Sequence, residues 1–192
     1  MLSRLHIQGW RSLADVDLKM KPLNVLIGPN GSGKSNTLDI FKFMFEASRG
    51  NLLEGIMSRG GWNEVKFKKK TEDSITFEFE FEDNGDFRQE GGITYYLGLE
   101  KKGFYPVVGC EKITKPPKGD HLDPFEIIYR DKRVCKFQNA IRHGKDDLKE
   151  ILDESQLAIF QYQDQKFYPT PNKLLKQLNN WIYYTLLKAC FR

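Results

Sequence analysis

Eight residues, Gly28-Pro29-Asn30-Gly31-Ser32-Gly33-Lys34-Ser35, constrain this chain more than any other stretch: they fit G-x-x-x-x-G-K-[ST] between an apolar run and a helical pattern. Glycines at those positions let successive backbone N–H groups turn inward around an anion, and the helix that follows points the positive end of its dipole at the same place. Leu23-Asn24-Val25-Leu26-Ile27 predicts a buried strand before the loop, and Leu38, Phe41, Met44 and Phe45 predict the helix after it. The pattern therefore predicts a nucleoside triphosphate site, with Lys34 reaching the β- and γ-phosphates and Ser35 binding Mg²⁺.

The filling of the motif, with Asn36 after it, resembles the loop of the ABC-type ATPases related to SMC and RecF proteins, within the wider AAA family. Leu5-His6-Ile7-Gln8-Gly9-Trp10-Arg11-Ser12-Leu13 looks like the opening strand and F-[RK]-S turn that these ATPases place ahead of the loop. The resemblance implies an ATP site formed by Asn30, Gly31, Ser32, Gly33, Lys34, Ser35 and Asn36, with Mg²⁺ on Ser35 and Lys34 in a catalytic role. It also implies that Arg11 approaches the phosphates from the side opposite Lys34; the alternative is an exposed arginine in a turn.

Leu52 to Trp62 reads as a glycine-containing turn, a connector also seen in overcoming-lysogenization-defect-like (OLD-like) ATPases. It contains Ser58-Arg59-Gly60-Gly61, the Ser-x-Gly-Gly core of the ABC signature, but directly after the first helix, whereas the family's signature lies far downstream.

The 192 residues suit one domain, and a net charge of +4 is weak evidence for an anionic partner beyond the nucleotide. Cys110, Cys135 and Cys190 are widely spaced without a metal-ligand pattern, and His6, His121 and His143 are scattered, so Mg²⁺ with the nucleotide is the one metal expected. No stretch approaches the ~18 consecutive apolar residues of a membrane span, and the expected location is cytoplasmic.

Strands are predicted at Ser3 to Gly9 and Ala14 to Lys19, with a helix from the loop to about Ala47. Ile75 to Glu82 alternates apolar and acidic residues as only a half-buried strand does, the glutamates serving solubility. Ile93 to Glu100, Tyr105 to Ile113, Phe125 to Arg130 and Val134 to Phe137 continue an antiparallel meander, which the resemblance identifies with the β-subdomain on the adenine side of ABC-type ATPases. Lysines at 66, 68, 69, 70, 115, 118 and 132, with Arg133, mark strand ends and turns, a possible DNA surface but one lacking interleaved aromatics.

From Gly144 the pattern turns helical through Leu148, Ile151 and Leu152, and Pro169 introduces another helix with Leu174, Leu175, Leu178, Trp181, Ile182 and Leu186 on one face. The family's catalytic Q-loop glutamine falls on Gln156, with Gln161 and Gln163 as rivals. The expected fold is mixed α/β: a phosphate-loop NTPase core over 1–50, an antiparallel β-rich layer over 62–140 and a helical segment over 145–192, together one ATPase lobe.

The Walker B strand, the signature loop and the switch histidine of the family are not found. Ile127-Ile128-Tyr129-Arg130-Asp131 interrupts its apolar run with arginine, and Leu157-Ala158-Ile159-Phe160-Gln161 ends in glutamine. Without the Walker B carboxylates Mg²⁺ is poorly held and no side chain polarises the attacking water.

The resemblance thus covers the N-terminal half of the family's ATPase, read as split or truncated, with little hydrolysis alone. Its partner is a second copy or a complementary C-terminal half, in DNA repair, chromosome maintenance or phage defence. Two other readings stay open: a self-sufficient NTPase or phosphotransferase with an unrecognised acid, and a non-catalytic DNA-binding module with a vestigial loop.

Overall fold

A computed structural model describes residues 1–69, 73–117, 124–137, 148–162 and 164–181. Its frame is one antiparallel sheet of eight strands in the order β2-β1-β3-β4-β5-β6-β7-β8. The strands are β1 (Leu2–Trp10), β2 (Leu13–Lys19), β3 (Ser74–Phe81), β4 (Ile93–Lys102), β5 (Tyr105–Lys115), β6 (Phe125–Asp131), β7 (Val134–Phe137) and β8 (Leu148–Ile151). The helices are α1 (Lys34–Ala47), α2 (Leu52–Met57), α3 (Trp62–Val65), α4 (Ala158–Gln161) and α5 (Pro169–Asn179).

Strict alternation makes this sheet two-faced. Ile75, Phe77, Phe79 and Phe81 of β3 are buried, as are Leu5 and Ile7 of β1 and Tyr95, Leu97 and Leu99 of β4. Helix α1 lays Ile40, Phe43, Met44 and Ala47 in this core. Its Phe43 ring stands 5.1 Å from Trp10 and 6.0 Å from Phe77, within the range of favourable aromatic pairs.

The helix after the loop, seven of the eight predicted strands and the helix from Pro169 are present, the exception being Leu23 to Ile27, and three further expectations are corrected. The connector 52–62 is two short helices and a turn: Leu52 and Ile56 are buried one helical turn apart, and Gly60 and Gly61 close the turn at φ +93° and +85°. Leu148 to Ile151 is a strand, because its backbone completes the open edge of β7 by pairing Leu148 with Phe137 and Ile151 with Val134. The buried stripe of α1 is displaced from the predicted one: Leu38 is 45% exposed and, with Phe41, lines a groove of about 450 Å³ bounded by Met20, Pro22 and Trp181. The stretches holding Gly144, Gln163, Ile182 and Leu186 lie outside the described residues.

Candidate nucleotide site

The loop Gly28 to Gly33 is joined to the edge strand β2 by a run outside any strand or helix and enters α1 at its N-terminus. Gly31 and Gly33 have φ of +80° and +91°, conformations open to glycine. A Cβ on Gly33 would also meet Leu13 Cδ2 at 2.7 Å, since the turn between β1 and β2 packs directly on the loop. Asn36 Nδ2 donates to Ser12 Oγ at 2.7 Å from the other side, pinning that turn to the first turn of α1.

Lys34 folds back over its own loop. Its Nζ donates to Gly28 O at 2.7 Å, Pro29 O at 2.6 Å and Ser32 Oγ at 3.2 Å, and it has no carboxylate partner among the described residues. The first turn of α1 carries no acidic residue, and Asn30, Gly31, Ser32 and Ser35 are exposed around it. The helix therefore presents orphan N–H groups, a free hydroxyl and an ammonium held by neutral oxygens, an arrangement that accepts a polyanion without breaking an ion pair.

Arg11 stands in the neighbouring turn with φ +50°, a left-handed conformation that costs a non-glycine residue on the order of 1 kcal/mol. Its backbone N–H is anchored on Val65 O, and its Nε lies 3.2 Å from Asp39 Oδ2 on α1. Asp39 is shared: Arg59 of the connector donates from Nε to both of its oxygens at 3.0 Å, and from Nη1 to Glu46 and to Gly55 O. Burial works against the Arg59 charge, but its bonds to Asp39 and Glu46 outweigh that and hold it above its ordinary value. Sequence reasoning missed this network because its partners are twenty residues apart; Arg59, read inside a signature-like turn, is a structural cation.

Gln156 is not brought to the loop. Its N–H donates to Asp153 O, and its carbonyl accepts from Arg130 Nη1 at 2.6 Å. Helix α4, which follows it and contains Gln161, places Phe160 against Gly50 beyond the C-terminal end of α1, while Lys34 begins that helix about 20 Å away.

Leu23 to Ile27 overturns the expectation of a buried strand. It belongs to no sheet, and Leu23, Val25 and Ile27 are 81%, 73% and 88% exposed. The segment follows the edge strand β2, and no described strand lies alongside it to cover its side chains or take its backbone hydrogen bonds.

The one residue expected to bind Mg²⁺, Ser35, stands exposed at the helix N-terminus, and among the described residues no cluster of three His, Cys, Asp or Glu could hold a metal alone. Asp131, which follows the apolar run interrupted by Arg130, ends the antiparallel strand β6. No described helix is long and apolar enough to cross a membrane.

A family model described as "AAA ATPase domain" matches residues 1–188. Among curated proteins, an OLD nuclease from Thermus scotoductus is 47% identical over 38 residues, a match spanning 20% of this chain and 7% of that protein. The chain therefore corresponds to a small part of that relative's length.

Proposed function

The chain belongs to the AAA ATPase domain family, of SMC/RecF/OLD-like type, and from that premise we propose that it is the ATP-binding part of such an ATPase, hydrolysing ATP only when completed by further strands and acidic residues. The observation that carries this reading is Lys34, whose ammonium rests on two loop carbonyls at 2.6 and 2.7 Å above an unblocked helix N-terminus. Those bonds go to neutral oxygens, and charged phosphate oxygens would replace them with stronger, doubly charge-assisted ones. Asn30 to Asn36 would supply the cradle. Ser35 would add one ligand to a Mg²⁺ otherwise held by phosphate oxygens and water, and the ion would offset charge on the β- and γ-phosphates.

The exposed apolar run before the loop supports the incomplete character of the site. Leu23, Val25 and Ile27, alternate apolar side chains exposed on a segment that pairs with no described strand, are what a strand offers to a neighbour, and such an apolar run in water is a liability until covered. A completing segment, from the same polypeptide or another, would lie along this run and bring carboxylates toward Ser35. The isolated chain is expected to bind Mg-ATP in a calorimetric titration and to release no phosphate above background. Steady turnover would support the self-sufficient NTPase instead.

Arg11 fits the role of a second phosphate cation that Asp39 holds in reserve. Asp39→Asn removes the competing charge while Arg59 keeps Glu46, so ATP affinity is expected to rise about threefold, a fraction of a surface ion pair. In Arg11→Ala/Asp39→Asn the gain should vanish. A gain that persists without Arg11 would assign the effect to net charge alone.

A further inference from the structure

The face of the sheet turned away from the helices carries one cross-strand row through seven strands. In register it runs Asp17, His6, Glu78, Tyr96, Lys112, Tyr129, Lys136, from β2 to β7. The row changes character in the middle. On the β2, β1 and β3 side carboxylates dominate, and Arg4 is consumed by Asp17, Glu78 and Glu80 at 2.8, 3.0 and 2.6 Å. From β4 onward the row alternates aromatic and cationic side chains: Tyr96, Lys112, Tyr129, Lys136, all half-buried.

Lys112 lies between the two rings, its Nζ 5.9 Å from the Tyr96 centroid and 5.0 Å from that of Tyr129. It has no carboxylate partner among the described residues. The Tyr96 ring leans over Gly98, where a Cβ would sit 3.4 Å from Tyr96 Cε1, so bare backbone gives the ring a flat seat. The adjoining positions on β4 and β5 are small, Thr94, Thr114 and Cys110, and no described helix covers them. Glu126 and Asp131, exposed in the rows on either side, confine the cationic track to the width of one residue.

We propose that Tyr96, Lys112, Tyr129 and Lys136 form a docking track for single-stranded DNA, separate from the nucleotide site. Two tyrosines two strands apart, about 10 Å, would each stack one base, with the phosphate between them over Lys112 and the next over Lys136. Stacking on a ring face accepts any base, so the track is indifferent to sequence. Flanking carboxylates repel a second backbone, which favours one strand over a duplex. The lysine ammonium now over the rings would exchange a cation–π contact for a phosphate.

The test is fluorescence anisotropy with a labelled fifteen-nucleotide oligo-dT, the whole chain and no ATP, so that its outcome is independent of the nucleotide site. Binding is expected to weaken with rising salt, to fall about 30-fold in Tyr96→Ala/Tyr129→Ala, and to survive in Tyr96→Phe/Tyr129→Phe, which keeps the rings. Lys112→Gln should flatten the salt dependence. Circular dichroism of each variant establishes that it is folded, and the phenylalanine pair separates loss of stacking from loss of fold. No binding at low salt, equal binding by the alanine pair, or tighter binding to a duplex or to oligo-U would overturn the proposal.

Discussion

Lys34→Ala is expected to lower the affinity for Mg-ATP about 100-fold, the loss of about 3 kcal/mol from charge-assisted bonds to phosphate oxygens. The same change should leave thermal stability within about 0.5 kcal/mol, because the Lys34 ammonium touches only exposed loop atoms: Gly28 O, Pro29 O and Ser32 Oγ. The contrast is the informative part. A lysine whose role is to close its own loop would lose stability when truncated and leave nucleotide binding intact. Calorimetric titration of both proteins beside their unfolding curves decides between the two, and an affinity within threefold of the parent would remove the loop from the nucleotide site.

Glu111→Ala has the largest expected effect on the fold, about 4 kcal/mol of lost stability, because it strands several buried groups at once. Glu111 is fully buried on β5 and faces the helical layer. Its carboxylate accepts from Ala158 N at 2.6 Å, Ile159 N at 3.2 Å and Tyr95 Oη at 3.0 Å, with Arg130 Nη1 at 3.8 Å. Arg130, equally buried, donates to the carbonyls of Lys132, Asp153 and Gln156. Together the pair bind the segment 153–159 to the sheet, which is why Gln156 is held where it is. Burial, together with the nearby Glu111 charge, pushes the Tyr95 hydroxyl well above its ordinary value, so it stays a donor.

The pH dependence of that variant has a definite sign. Burial raises the Glu111 pKa against the lowering effects of its backbone bonds and Arg130, so the folded protein takes up this proton more readily than the unfolded chain. Its contribution to stability is full below the ordinary glutamate value and declines as pH rises through the raised one. The gap in urea midpoint between the parent protein and Glu111→Ala should therefore widen on going from pH 7 to pH 5. A gap that narrows would show that the bonds to the carboxylate form outweigh its burial.

The alternating pattern of Ile75 to Phe81 and the glycines around Lys34 were legible because their information is local: a period of two residues admits only a strand, and φ near +90° at Gly33 admits little but glycine. The same period placed Tyr96, Lys112, Tyr129 and Lys136 on their strands. Only register, set by pairing across four strands, shows that they share one row on an uncovered face.

Leu148 to Ile151 shows the limit of periodicity, since four residues with apolar ends fit a helical turn or a strand and the open edge of β7 decides between them. Leu23 to Ile27 shows the opposite limit, an apolar run whose composition specifies a strand and whose burial depends on a neighbour that no described residue supplies. Local sequence thus determined most of the strands and helices, and that a glycine-rich loop of phosphate-binding pattern leads into α1. Tertiary structure decided which charges meet, Arg11 and Arg59 on Asp39 and Glu111 beneath Arg130, because ion pairs form between residues distant in sequence and leave no local signature.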